Sequence, residues 1–174
     1  AEMRASFDPK NPDANARLSY RLFEYEAERA EKFFGYRNHW YQFSHFRAPH
    51  SSAPAFLINQ HRIDSVADAD AYIARLEGLK ANFDGHRKVA EDQFTRGSYA
   101  PKWSYAKMIE TAANVIAGAP FDKSGKPSTI LADFNDKIGK LDIDAAGKRA
   151  LTKRAEAALL KSVKPAYQDL IAMF

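Results

Sequence analysis

Apolar positions along this chain recur with the period of a helix, and no stretch of convincing length alternates with the period of two that a half-buried strand requires. From Ala16 to about Phe34, Leu18, Leu22, Tyr25 and Phe33 share one face, while Phe23, Ala27, Ala30 and Phe34 share the adjoining one. So broad an arc predicts a helix covered by more than one neighbour. Pro9 and Pro12 close a short lead-in, after which Asp13 or Asn15 can cap this helix. Arg29 falls inside the first apolar face and must either snorkel or find an acidic partner. Glu28 and Lys32 form an i,i+4 pair on the remaining strip.

Gly35 to Ile63 has no period. Pro49, Pro54 and the Ser51-Ser52 pair argue against a continuous helix there, leaving room for a short one from Ala55 to Ile63. Asp64 and Ser65 then open a clear helix, with Ser65 and Asp68 resembling a capping box and Val66, Ala69, Tyr72, Ile73, Leu76 and Leu79 as its buried stripe. Gly78 and Gly85 interrupt, and Phe83, Val89, Ala90 and Phe94 predict a second stretch up to Gly97. A loop carrying Pro101 follows, and Ser104 caps a helix from Tyr105 to Ala117, stopped by Gly118 and Pro120. After the turn Ser124-Gly125-Lys126-Pro127, Ser128 begins a helix bearing Ile130, Leu131, Phe134, Ile138 and Leu141. Asp144 caps the last and longest helix, which runs to Phe174. Pro165 should bend it without ending it, because Tyr167, Leu170 and Phe174 keep the stripe in register.

The pattern predicts an all-α fold, an irregular bundle of about six or seven helices with one long aromatic-rich loop. Residues 1–174 read as a single helical domain or a fragment of a longer protein. The final helix closes on Ala172-Met173-Phe174 without a cap and the N-terminus begins mid-pattern, so both ends look cut.

The chain has no cysteine, which excludes a disulfide framework, a cysteine-based zinc finger and a thiol nucleophile, and suits cytoplasm and periplasm alike. No apolar run approaches the roughly 20 residues of a membrane span, and Ala1-Glu2-Met3-Arg4 does not resemble a signal peptide. The net charge of +4 raises the question of nucleic acid. Yet Lys153, Arg154, Lys161 and Lys164 lie opposite the stripe Leu151, Ala155, Leu159 and Val163, which is the solvated face of an amphipathic helix, and nucleic acid is not an expected partner.

The five histidines, His39, His45, His50, His61 and His86, include no i,i+4 pair with an intervening glutamate, so no metal ligand and no cofactor is expected within this chain. No Gly-rich phosphate loop or nucleophile elbow occurs, and no catalytic residue is assigned. One stretch stands out: Phe33 to Arg47 holds seven aromatics, two histidines and two arginines in fifteen residues. Its His39, Trp40, His45 and Arg47 are candidate substrate- or ligand-binding residues around a concave surface. The plainer alternative is that these side chains pin a long loop onto the helices.

The segments Leu18-Ser19-Tyr20-Arg21-Leu22-Phe23-Glu24-Tyr25, Asp70-Ala71-Tyr72-Ile73-Ala74-Arg75-Leu76, Gly118-Ala119-Pro120-Phe121-Asp122 and Val163-Lys164-Pro165-Ala166-Tyr167 together resemble, in order, the bacterial family called domain of unknown function 885. The resemblance spans nearly the whole chain, although residues 97–102 depart from the family's usual Gly and paired prolines. It implies a mostly helical, exported or periplasmic protein of lipoprotein type, longer than this chain. Its later His-Glu and Pro-Gly-His elements would belong to a zinc-dependent peptidase-like hydrolase. Those elements have no counterpart here, so the resemblance transfers no catalytic residue and places any zinc in the parent. Two expectations follow. Either this is the non-catalytic helical region of such a hydrolase, shaping its substrate cleft, with the remainder of the parent chain and a peptide substrate as partners; or it is a stand-alone helical binding module for a protein or ligand.

Overall fold

Helical patterning is realised along most of the chain in the computed structural model, which describes residues 2–8, 10 and 13–174, leaving Pro9 and Pro12 outside the described residues. The elements are α1 (Glu2–Ser6), α2 (Ala14–Phe34), α3 (Pro49–Asn59), α4 (Val66–Thr95), α5 (Lys102–Val115), α6 (Thr129–Gly139), α7 (Ala145–Ala158), a π turn (Leu159–Val163) and α8 (Lys164–Met173). The last three form one uninterrupted segment, so among the described residues seven helical segments make up an all-α fold. Among the described residues the only extended pairing is an isolated bridge between Ala119 and Pro127. Contacts divide the chain into two units, residues 1–40 and 41–174.

In the first unit, Asp13 caps α2 by accepting a hydrogen bond from the Asn15 N–H (2.9 Å). Phe7 stacks on Tyr20 at 4.1 Å between ring centroids. Arg29 does find its acid, Glu26 one turn back at 3.4 Å, and also lies over the Phe33 ring. The expected burial of α2 does not occur. None of its residues is buried, and Leu18, Leu22, Tyr25, Phe33 and Phe34 are each more than half exposed. Among the described residues of this unit α1 is the one other helix, too little cover for so wide an arc.

The second unit is built on α4, a single helix of 30 residues. Gly78 and Gly85 do not break it as the sequence suggested, because Phe83, Ala90 and Gln93 continue the buried stripe of Ala69, Tyr72, Ile73, Leu76 and Leu79 across both glycines. Val66, expected on that stripe, and Val89, expected in the second stretch, are exposed. The Ser65 hydroxyl accepts from the Asp68 N–H, and the Asp68 carboxylate accepts from the Asp64 N–H one residue before the cap. At the other end Gly97 takes φ +74°, with the Gly97 and Ser98 N–H groups bonding the Phe94 and Gln93 carbonyls: the Schellman arrangement that only glycine enters without strain. Helix α5 starts three residues earlier than expected. Pro101 occupies its cap position, and Ser104, the expected cap, is buried with its hydroxyl turned elsewhere.

Both prolines inside helices deprive a carbonyl four residues earlier of its partner. Pro49, Pro54 and the Ser51-Ser52 pair were expected to leave room only for a short helix from Ala55 to Ile63, yet α3 runs from Pro49 to Asn59, and the missing N–H of Pro49 costs nothing at the first helical position. The carbonyl that Pro54 leaves unmatched belongs to His50, and the buried Tyr167 hydroxyl donates to it at 2.6 Å. Pro165 is accommodated differently. The turn before it widens, the Lys164 N–H bonding the Leu159 carbonyl five residues back, and the segment continues to Met173. Tyr167 and Leu170 stay buried, as the register required, although α4 and not this segment is the longest single helix.

The His50–Tyr167 bond should be measurable by a double-mutant cycle. Tyr167→Phe leaves the His50 carbonyl without a donor and should cost about 1–3 kcal/mol in urea denaturation. In a Pro54→Ala background the backbone N–H regained at that position can serve the same carbonyl, so the tyrosine change should cost clearly less. Equal costs in both backgrounds would show that the carbonyl is not the group Tyr167 serves.

Candidate functional site

The aromatic stretch is divided between the two units. Its first part prolongs α2 as a series of turns: the Tyr36 and Arg37 N–H groups bond the Phe33 and Phe34 carbonyls, and the Arg37 guanidinium donates to the Phe34 carbonyl (2.9 Å) while lying over the Phe34 ring at 4.2 Å. His39 is exposed, its ring edge-on to Tyr36 at 5.5 Å, and Trp40, also exposed, closes this part.

The second part, residues 41–47, is tied down within the second unit. The Gln42 N–H donates to the Gln93 side-chain carbonyl (3.0 Å), and the Gln42 amide nitrogen donates to His86 Nδ1. Phe43 is buried against His50 and Phe174. The His45 N–H donates to the Ser104 hydroxyl (3.3 Å), which also lies 3.2 Å from His45 Nδ1, and the imidazole packs on Trp103 at 4.5 Å. Arg47 closes a tight turn: its N–H donates to the Ser44 hydroxyl, which donates to the Arg47 carbonyl at 3.0 Å. Thus His45 and Arg47 share one rigid loop, while His39 and Trp40 belong to the other unit.

The remaining polar interior is used to join helices. Arg75 donates to His61 Nδ1, so the proton sits on Nε2, which donates to the Asp68 carbonyl (3.1 Å). Burial lowers the His61 pKa, the Asp68 bond opposing and the Arg75 charge assisting. The buried Tyr72 hydroxyl donates to Asp133 (3.1 Å), and burial first, then the Asp133 charge, pushes its pKa up. Lys137 reaches the same carboxylate (2.8 Å) and the Leu57 and Ile58 carbonyls at 2.8 and 2.9 Å, serving the otherwise unmatched C-terminal carbonyls of α3 with a cation. Among the described residues no three His, Asp or Glu side chains converge as a metal-ligand set.

A groove of about 700 Å³ runs between α4 and the α7–π-turn segment, lined by Glu77, Lys80, Ala81 and Asp84 on one side and Ala157, Ala158, Lys161 and Ser162 on the other. Ser162 fixes its floor, donating to the Glu77 carbonyl (2.8 Å) and accepting from the Lys80 N–H (3.2 Å). Lys80 bridges Asp169 of α8 (2.8 Å) and Asp84 (3.1 Å), which together raise its pKa, and Arg87 adds a contact to Asp169 at 3.4 Å. Sequence reasoning missed this groove. The i,i+4 spacing of Lys80 and Asp84 was readable, but the third member, Asp169, is 89 residues away from Lys80.

A family model described as bacterial protein of unknown function (DUF885) matches residues 1–174. The chain belongs to that family. It matches no curated protein and no solved structure. Three of the four segments that carry the DUF885 resemblance turn out to join helices of the second unit. Tyr72 reaches Asp133, Asp70 pairs with Arg154 of α7 (2.6 Å), and Lys164 donates to the Phe121 carbonyl at 3.2 Å. In the Gly118–Asp122 segment, Gly118 has φ +89°, and a Cβ there would lie 2.8 Å from the Ser128 nitrogen, so no other residue fits. The Asp122 carboxylate accepts from the Gly118 and Ser124 N–H groups, and the Ser124 bonds foremost lower its pKa.

His50 is 1% exposed, its Nδ1 has no partner, and burial lowers its pKa from 6.5 to about 4. It is neutral in both states above pH 6.5. As the pH falls, the unfolded chain takes up the proton first, so stability is complete above about 6.5 and drains away towards pH 4. The His50 contribution is at most about 3 kcal/mol. His61 and His86, also lowered by burial, add to the slope. Urea denaturation at pH 7 and pH 4.5 should show the loss, and His50→Phe should shrink it. An unchanged difference in that variant would rule His50 out as a source.

Proposed function

We propose that this chain is the non-catalytic helical region of a bacterial zinc-dependent, peptidase-like hydrolase, and that it forms one wall of the substrate cleft. The observation carrying this reading is the groove between α4 and the π turn. It is open, has a floor of small residues and carries both signs of charge, features suited to an extended peptide with its alternating donors and acceptors. π turns inside α-helices recur at functional sites, and this one supplies Ser162 and Lys161 to the groove. Both ring nitrogens of His61, Nδ1 of His86 and the ammonium of Lys137 are engaged in bonds that tie helices to one another and to the segments between them, which suits a frame more than an acid–base centre. In this reading the protein is exported or periplasmic, and its zinc is held by the remainder of the parent chain.

Two measurements test it. The chain alone, dialysed and analysed for metal, should retain no stoichiometric zinc and hydrolyse no peptide. In the full-length protein, Ala157→Trp, which fills the groove from an exposed position, should lower kcat/KM for peptides about tenfold with little change in Tm. Stoichiometric zinc on the isolated chain, with turnover that a chelator abolishes, would overturn the non-catalytic assignment. Unaltered kinetics in the Trp variant would remove the groove from the cleft.

A further inference from the structure

No aspartate or glutamate occurs between residues 41 and 63, and none between 93 and 109. The fold brings the leading parts of these two acid-free segments together: Gln42 bonds Gln93, and His45 bonds Ser104 while packing on Trp103. The joint surface carries four large exposed aromatics, Phe46 (86% exposed), Trp103 (61%), Tyr99 (59%) and Tyr41. Two cations flank them, Arg47 and Lys102; the neighbouring Arg96 and Lys107 are paired with Asp92 (2.9 Å) and Glu110 (3.0 Å).

We propose that this surface docks onto an anionic phospholipid membrane. Charge complementarity gives the sign of the partner: a face with cations and no acid over two segments favours a surface dense in negative headgroups. The aromatics give its depth. Trp and Tyr are amphipathic rings that settle at the headgroup level, and Phe46 projects from the turn that Ser44 and Arg47 close with reciprocal hydrogen bonds. That turn holds the ring outward in advance, so little ordering is required when it enters the acyl boundary. A small ligand fits poorly. The cavity beneath the surface, lined by Tyr41, Phe94, Tyr99 and Phe174 among others, has a volume of about 10 Å³, room for a single water. The attachment is peripheral, since no helix among the described residues is long and apolar enough to cross a membrane.

Vesicle flotation with the chain as it stands tests this. Binding should be at least about tenfold stronger to vesicles containing phosphatidylglycerol than to phosphatidylcholine alone, and should weaken as salt is raised to about 0.5 M. Phe46→Ala should weaken binding about tenfold, with an unchanged melting temperature because the side chain is exposed. The pair Arg47→Glu and Lys102→Glu should remove the preference for phosphatidylglycerol. In a Trp40→Phe background, Trp103 emission should shift to shorter wavelength when phosphatidylglycerol vesicles are added. No flotation at low salt, or flotation indifferent to Phe46→Ala and to the charge reversals, overturns the proposal. So does poly-glutamate binding as tightly with the same Trp103 shift, because the face would then answer to an acidic polypeptide.

Discussion

A proline inside a helix leaves a carbonyl four residues back without its donor, and the second unit is assembled around the two places where this happens. Pro54 frees the His50 carbonyl, which is too deeply placed to be served by water, and the Tyr167 hydroxyl takes the vacant position. That bond fixes α3 against α8 at a single depth and rotation. Pro165 lies two residues before the same tyrosine, and the π turn ahead of it sets the angular position from which Tyr167 reaches His50. An additional residue in that turn rotates everything beyond it, so the two solutions depend on each other.

The same economy governs the polar interior. Lys137, Asp133 and Tyr72 form one set of donors and acceptors joining α3, α4 and α6, and Arg75 and His61 form a second that ties α4 to the segment before it. Each group is held by partners from another part of the unit. Rigid joints of this kind carry little chemistry themselves but keep neighbouring surfaces in fixed positions. The groove beside Lys80 and the aromatic face beside Trp103 are two such surfaces on one frame.

Much of this was legible in the sequence. Asp13, Ser65, Ser128 and Asp144 are all caps, and the stripes on α4, α6 and the last segment are those that periodicity marks. The failures have specific causes. Pro49 and Pro54 read as helix breakers because the rule for proline considers only its own strand of backbone, whereas the compensating donor lies 117 residues away from His50. Gly78 and Gly85 read as interruptions because local propensity, a cost of about 1 kcal/mol each, is outweighed by burial on both sides. Ser104 carried the composition of a cap but bonds His45, a partner in a loop that has no period. The candidate residues were legible only as a dense cluster. Sequence proximity joined His39 and Trp40 to His45 and Arg47, but the fold assigns the pairs to different units, and the acid-free partner segment around Trp103 lies far along the chain.

At 1.5 Å per residue α4 is a rod of about 45 Å, and its two glycines lie seven positions apart near the middle. A Cβ at either would meet nothing within 4 Å, so neither is there to make room for a neighbour. What they do is leave the backbone bare on that flank, where no side chain stiffens it. Glu77, Lys80, Ala81 and Asp84, the α4 side of the groove, begin one residue before the first glycine and end one residue before the second. The Ser162 hydroxyl, bonding the backbone at Glu77 and Lys80, competes there with the rod's own ladder. The longest member of the frame thus passes the groove with two bare backbone positions on its solvent side, and the Ser162 hydroxyl is what anchors that stretch to the last segment.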